Sequence, residues 1–359
     1  MKFGLGPYWL DDDDPYQRFR EMAQQAWLAQ ECAFDSIWTG EAHFTGHCPH
    51  PFVPAAALAV KVDSLRMGVL CQLGLVHPAY VAEDAVTLDN ISNGRTILAV
   101  APPWRPEETS GYGLSSQDDA SRFAEAVQVL KLSWAPQPFS FTGRHYCIPA
   151  HLKANVAALG QELVSLTPKP AQPSIPLWAA ALPHTLPVAI QQRLPLVGLP
   201  WQEMEELAHL FNEYRAGAGS LPADHIWALA RVTWVAKSSQ EAKEAVESSL
   251  PLLARAWAKM LGPHAVSEAQ LMGAAIFGDV DDCIGQIRRY QQVLGINYLI
   301  CFMALPGIPH SHALRAIELW GKAVISEFRM AAFPRQIRER FLADVYGWGR
   351  ELAPQLQEV

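Results

Sequence analysis

The sequence contains no CxxC pair, and its six cysteines (Cys32, Cys48, Cys71, Cys147, Cys283, Cys301) are scattered along 359 residues. That spacing argues against a disulfide scaffold and points to a reducing cytoplasm. Basic clusters are missing as well: 28 Lys and Arg stand against 36 Asp and Glu, a formal charge of −8. A nucleic-acid partner, which needs a basic footprint, is disfavoured. No run approaches the roughly eighteen apolar residues of a membrane span, and Met1 to Asp14 leads straight into acidic sequence. Neither a membrane helix nor a signal peptide is expected. The chain has no G-x-G-x-x-G fingerprint of a nicotinamide-binding unit. It also has no flexible linker and no fixed-period repeat, so one domain over residues 1–359 is the expected organisation.

What is present is a chain that is half hydrophobic and only 18% charged, enough to bury a large core. Its first half alternates short apolar runs with helical patterns of about fifteen residues, the rhythm of βα units. Strands are predicted at Phe3–Trp9, Phe34–Trp38, Arg66–Leu73, Thr96–Ala101, Leu177–Ala181, Leu194–Leu199, Ile226–Ala236 and Tyr298–Met303. Asp14-Pro15 supplies a cap and a first-turn proline for a helix whose Phe19, Ala23, Ala26 and Trp27 share a face. Further helices are expected at Pro54–Val62, Pro78–Ile91 and Ser121–Trp134, the second of these stopped by Ser92-Asn93-Gly94. Eight strands with intervening helices fit a closed α/β (β/α)8 TIM barrel. Residues 135–170 and 255–278 exceed what a βα connection needs and read as rim insertions.

Chemistry in such a barrel sits at the carboxyl ends of the strands. Those ends fall at Tyr8 and Trp9, Glu41 to Phe44, Cys71 and Gln72, Pro102 to Trp104, Leu182 to Thr185, Pro200 and Trp201, Trp234, and Phe302 and Met303. The group is rich in aromatics and poor in charge, which suits a flat, largely apolar ligand. His43, His47, Cys48 and His50 lie close together, but their spacing matches no standard zinc site and no metal is expected.

Several stretches resemble the bacterial luciferase-like family of flavin-dependent monooxygenases. Glu31-Cys-Ala-Phe-Asp-Ser-Ile-Trp-Thr-Gly-Glu-Ala-His-Phe44 is similar to the family's E-x-G-F-D-x-x-W-x-x-E-H-H-F. His77-Pro78, Ala82-Glu83 and Leu88-Asp89-Asn-Ile-Ser-Asn-Gly-Arg95 follow in the family's order, as does the proline-rich Thr167–Trp178. The resemblance implies a (β/α)8 barrel binding reduced FMN, or in one branch a reduced deazaflavin, and oxygenating an apolar aldehyde, ketone or other organic substrate. It further implies a separate flavin reductase and a homodimer built on the helices at 54–62 and 78–91.

Carried over position by position, the resemblance makes Glu41, His43 and Trp104 the catalytic candidates. Leu70, Cys71, Arg122, His184 and Thr185 become the cofactor-binding ones. A cis peptide is implied at Leu70-Cys71. The family's catalytic histidine falls on Ala42, which has no acid or base to offer. Pro102-Pro103 and Leu182-Pro183 replace residues that normally approach the flavin, and Pro183 has no N–H for a phosphate. Trp104 would either stack on a ring or plug the mouth. Arg122 would hold a phosphate or a surface carboxylate, and His43 would act near the flavin or serve the fold. These departures keep a second reading open: a barrel that has lost flavin chemistry and acts as a partner or binding subunit, or as a flavin-independent enzyme.

Overall fold

A computed structural model of the chain describes residues 1–6, 14–150, 163–262 and 266–329. In chain order its elements are β1 (Lys2–Leu5), α1 (Pro15–Glu31), β2 (Ser36–Gly40), α2 (Phe52–Ala59), β3 (Arg66–Gln72), α3 (Pro78–Ile91), β4 (Thr96–Ala101), α4 (Pro106–Gly111) and α5 (Asp119–Trp134). A small hairpin, β5 (Phe141–Thr142) and β6 (Cys147–Ile148), leads to β7 (Leu177–Ala180), α6 (Leu186–Gln192), β8 (Leu196–Gly198), α7 (Met204–Ala218) and β9 (Trp227–Val235). The chain continues through α8 (Ser239–Leu261), α9 (Glu268–Ala274), β10 (Ile276–Gly278), α10 (Val280–Leu294), β11 (Tyr298–Phe302) and α11 (His310–Leu319).

Eight parallel strands close into a ring in the order β1, β2, β3, β4, β7, β8, β9, β11. The expected (β/α)8 barrel is therefore present. Besides the β5–β6 hairpin in the 135–170 stretch, one further strand was not expected: β10, inside the 255–278 stretch, pairs in parallel with the far end of β9. Its three residues are too few to show a period. The first strand stops at Leu5, and Tyr8 and Trp9 lie outside the described residues. Phe19 departs from the expected buried face of α1, being 47% exposed while Met22, Ala23, Ala26 and Ala29 pack inward.

Large aromatics plug the barrel below its mouth. Trp38 and Trp178 lie 5.2 Å apart between ring centroids, and Tyr298 meets Trp178 edge-on at 5.0 Å. Ser36 Oγ ties this layer, accepting from Trp38 Nε1 and from the Tyr298 hydroxyl. Space for Trp38 is made by Gly68, where an added Cβ would lie 2.2 Å from the indole. With its lower interior filled, the barrel offers room only at its upper rim.

The Asp89–Arg95 stretch sits at the opposite end. Asp89 accepts from Thr96 N and from Gln172, and Arg95 donates to the carbonyls of Ala59, Leu65 and Ser92. Gly94 and Asn93 take positive φ to make the turn. This motif fastens α3 to the start of β4.

Candidate active site

Side-chain alternation along β3 divides its candidates. Leu70 faces the barrel interior, whereas Cys71 is buried in the layer between strands and helices. Burial, helped by the charge of Glu41, pushes the Cys71 thiol well above its usual range. Its sulfur is turned away from the mouth and does not line it, contrary to the cofactor-contact expectation. The peptide between the two is trans, since the cis bonds among the described residues are Ile148-Pro149 and Thr167-Pro168.

The mouth is walled by Trp38, Leu70, Trp104, Trp201, Trp257 and Phe302, with Glu41 at its edge. Trp104 meets Trp201 nearly perpendicular at 6.2 Å, and Trp257 bridges Trp201 and Phe302 at 5.5 and 6.5 Å. Trp257 and Met260 come from the last turns of α8, a helix with Pro251 inside it, and lie across the opening. Trp201 is carried by the loop after β8. The buried Arg231 guanidinium braces this loop, donating to the carbonyls of Leu199 and Gln202 and to the Tyr290 hydroxyl. The free space among these side chains is about 50 Å³, against roughly 300–1,000 Å³ for a ligand pocket.

Beside this aromatic box lies a buried polar network. Glu41 Oε1 is 2.6 Å from His43 Nε2, and Glu41 Oε2 accepts from Gln72 N at 2.8 Å. The other ring nitrogen, Nδ1, is 3.0 Å from the Tyr112 hydroxyl. A second carboxylate, Glu108, is wholly buried and accepts from His43 N, Trp104 N, Arg105 N and Gln72 Nε2. Trp104 is also held by its indole N–H, which donates to Glu41 O at 3.0 Å. The indole thus plugs the mouth, fixed at both its backbone and its ring. Ala42 is buried and presents only a methyl group.

A third cluster sits at the start of α5. Arg122 is buried and donates to Asp119 Oδ1 at 3.1 Å and to Ser115 O at 3.3 Å. Gly74, at φ +105°, packs against its stem. Glu125, one turn on, gathers the N–H groups of Arg144, His145 and Tyr146 at 2.7, 2.9 and 3.2 Å. Burial raises its carboxyl, but these three bonds outweigh that and leave it below its usual range. The hairpin loop is thereby pinned over α5, and it brings Tyr146 close to Arg122. The Tyr146 hydroxyl is buried without a hydrogen-bond partner, and burial pushes it up to about 12. Thr185, by contrast, spends its hydroxyl within its own turn, on the carbonyls of Ala180 and Leu182 and on Leu182 N. His184 is exposed next to it, its imidazole lowered by the partial burial of the ring, with the Asp119 charge opposing that shift.

The structure thus brings Glu41, His43, Leu70 and Trp104 together and sets Arg122 and His184 in a neighbouring cluster. Cys71 reaches the first cluster only through the Glu41 carboxylate, from the side away from the mouth, and Thr185 lies outside both. Glu108, Tyr112, Tyr146 and Arg231 were not singled out from sequence. Only Glu108 left a local sign there, three residues after Arg105 at a helix start. Among the described residues no three His, Cys, Asp or Glu side chains converge as metal ligands. His47 turns to Ala256 O and Cys48 to His50 O.

Polar groups converging at the carboxyl ends of a closed parallel barrel place the chain among the (β/α)8 enzymes. More narrowly, it belongs to the luciferase-like monooxygenase family, whose model matches residues 6–296. The chain is similar to 4-hydroxyprotoasukamycin monooxygenase of Streptomyces nodosus subsp. asukaensis, 25% identical over 89% of each chain. The fold is similar to that of monooxygenase RslO1 from Streptomyces bottropensis (TM-score 0.80, 21% identity, 91% of this chain and 100% of that one). It also resembles the oxygenating constituent of 3,6-diketocamphane monooxygenase from Pseudomonas putida, solved with FMN (TM-score 0.72, 19% identity, 90% and 97% of the chains).

Proposed function

We propose that the chain is a flavin-dependent monooxygenase that receives reduced FMN from a separate reductase and oxygenates a compact, apolar organic substrate. The observation that carries this reading is the Tyr146 hydroxyl, buried and unpartnered on the hairpin that Glu125 pins over the α5 turn carrying Arg122, whose charge it feels. A buried polar group without a partner is costly, and a cation with a hydroxyl donor next to it fits a phosphate. Arg122 and Tyr146 would hold that end of the cofactor, with His184 at its rim. When bound, reduced FMN supplies the reducing power for O2 chemistry. The protein's own part is to exclude water with Trp104, Trp201 and Trp257 and to keep a proton at His43 Nε2, facing Glu41.

A second reading rests on the 50 Å³ of free space at the mouth. A flavin ring enters only if Trp201 or Trp257 swings aside; if both stay, the barrel is a binding or partner subunit. Anaerobic titration with reduced FMN and with reduced deazaflavin separates the two. Saturable binding of reduced FMN supports the first reading, binding of the deazaflavin alone replaces FMN by that cofactor, and loss of affinity in Arg122→Ala locates the phosphate end. Binding of neither overturns it and leaves the second.

Self-association is part of the proposal. Tyr16, Phe19, Val53, Val60 and Tyr80 are exposed apolar side chains on α1, on α2 and its end, and on α3, which supports a homodimer through this face. Cytoplasmic placement is proposed from six free cysteines. Among the described residues no helix is long and apolar enough to cross a membrane.

A further inference from the structure

We propose that Tyr112, His43 and Glu41 form a proton relay from bulk water to the mouth, built one position along from the alanine that replaces the family's histidine. The inference rests on the reading that the mouth is the reaction site, and it adds both the route and its outer end. Tyr112 is 38% exposed, whereas His43 at 5% and Glu41 at 8% are both buried, so the chain of bonds starts at the surface and ends on a buried residue that lines the cavity. Both ring nitrogens are engaged: Nε2 with the Glu41 carboxylate at 2.6 Å, Nδ1 with the Tyr112 hydroxyl at 3.0 Å. An ionised carboxylate only accepts, so Nε2 carries the hydrogen and Nδ1 accepts from Tyr112 O–H. Tyr112 stacks edge-on against the imidazole at 5.1 Å, and Glu108 fixes the His43 backbone, so the ring is held from both sides.

Inward transfer balances as follows. Water gives a proton to the Tyr112 oxygen as the tyrosine O–H passes its own to His43 Nδ1. His43 Nε2 releases its proton to Glu41 Oε1, and Glu41 passes one proton to a basic atom in the mouth and returns to the carboxylate. One proton enters, one leaves, and the ring is left as the Nδ1–H tautomer. Tyr112 acts through His43 and is a positioning and relay residue, never in contact with substrate.

The test follows exchange of the His43 Nε2 hydrogen with water by NMR on 15N-histidine-labelled protein, the resonance being assigned with His43→Gln. With His43 buried, exchange through the relay should slow by about tenfold or more in Tyr112→Phe. The Trp104 Nε1 hydrogen, bonded to Glu41 O in the same network, should exchange unchanged and so reports an intact fold. In Glu41→Gln, which keeps the tyrosine end but removes the carboxylate that takes the Nε2 proton, exchange should slow as well, and a native rate there would overturn the inner step. Equal exchange in native protein and Tyr112→Phe would overturn the relay, as would an Nδ1–H tautomer in the native protein. A relay that passes this test in a protein that binds no flavin would leave it standing while the proposed function fails.

Discussion

Replacing Glu108 by alanine strips the acceptor from four donors on the loop after β2, on β3 and on the β4–α4 turn at once. With each buried donor left bare at a cost of about 1–3 kcal/mol, Glu108→Ala should lower unfolding stability by about 3 kcal/mol or more, read from urea denaturation. Glu108→Gln keeps oxygen for part of the set and should lose less. Glu41 and His43 were legible in the sequence because they are two residues apart on one strand end. Glu108 and Tyr112 were not: they lie more than sixty residues further along, and only the turn after β4 returns them to His43. The role of Arg231 was equally hidden, since its partners are backbone carbonyls, which carry no sequence signal.

Helix boundaries were legible where punctuation is strong. Helix α3 begins at Pro78 and ends at Ile91, as Pro78 and the Asn93-Gly94 turn dictate. Where apolar pattern alone was available the reading slipped, and Phe19 is the instructive case. It continues the apolar stripe of α1 yet stands exposed near Val53 and Pro54 of α2, as a residue awaiting a partner surface would. Phe19→Glu should therefore convert a dimer into a monomer of the 39.7 kDa chain mass without loss of secondary structure. Light scattering together with circular dichroism checks this, and a native protein already monomeric would refute it.

At the scale of the molecule, the low charge noted in the sequence reappears as burial of titratable groups. Burial lowers the imidazoles of His47, His77, His184, His225 and His310. Each binds its proton more weakly in the folded chain than in the unfolded one, so acidification through the ordinary histidine range, about pH 6.5, favours unfolding. Their contribution is fully present above that range and is lost as pH falls toward the lowered values. The melting temperature should decline between about pH 7 and pH 5, with calorimetry across that interval as the check. The barrel itself was readable because eight apolar runs recur at βα spacing; how its mouth is filled was not, because α8 returns across it from a distant part of the chain. That filling has an optical consequence. Trp201 is a chromophore held 6.2 Å from Trp104 and 5.5 Å from Trp257 at steep angles, so their transitions couple and give the mouth its own near-ultraviolet signature. Any guest that parts them must erase it, which makes entry into this barrel visible without a label.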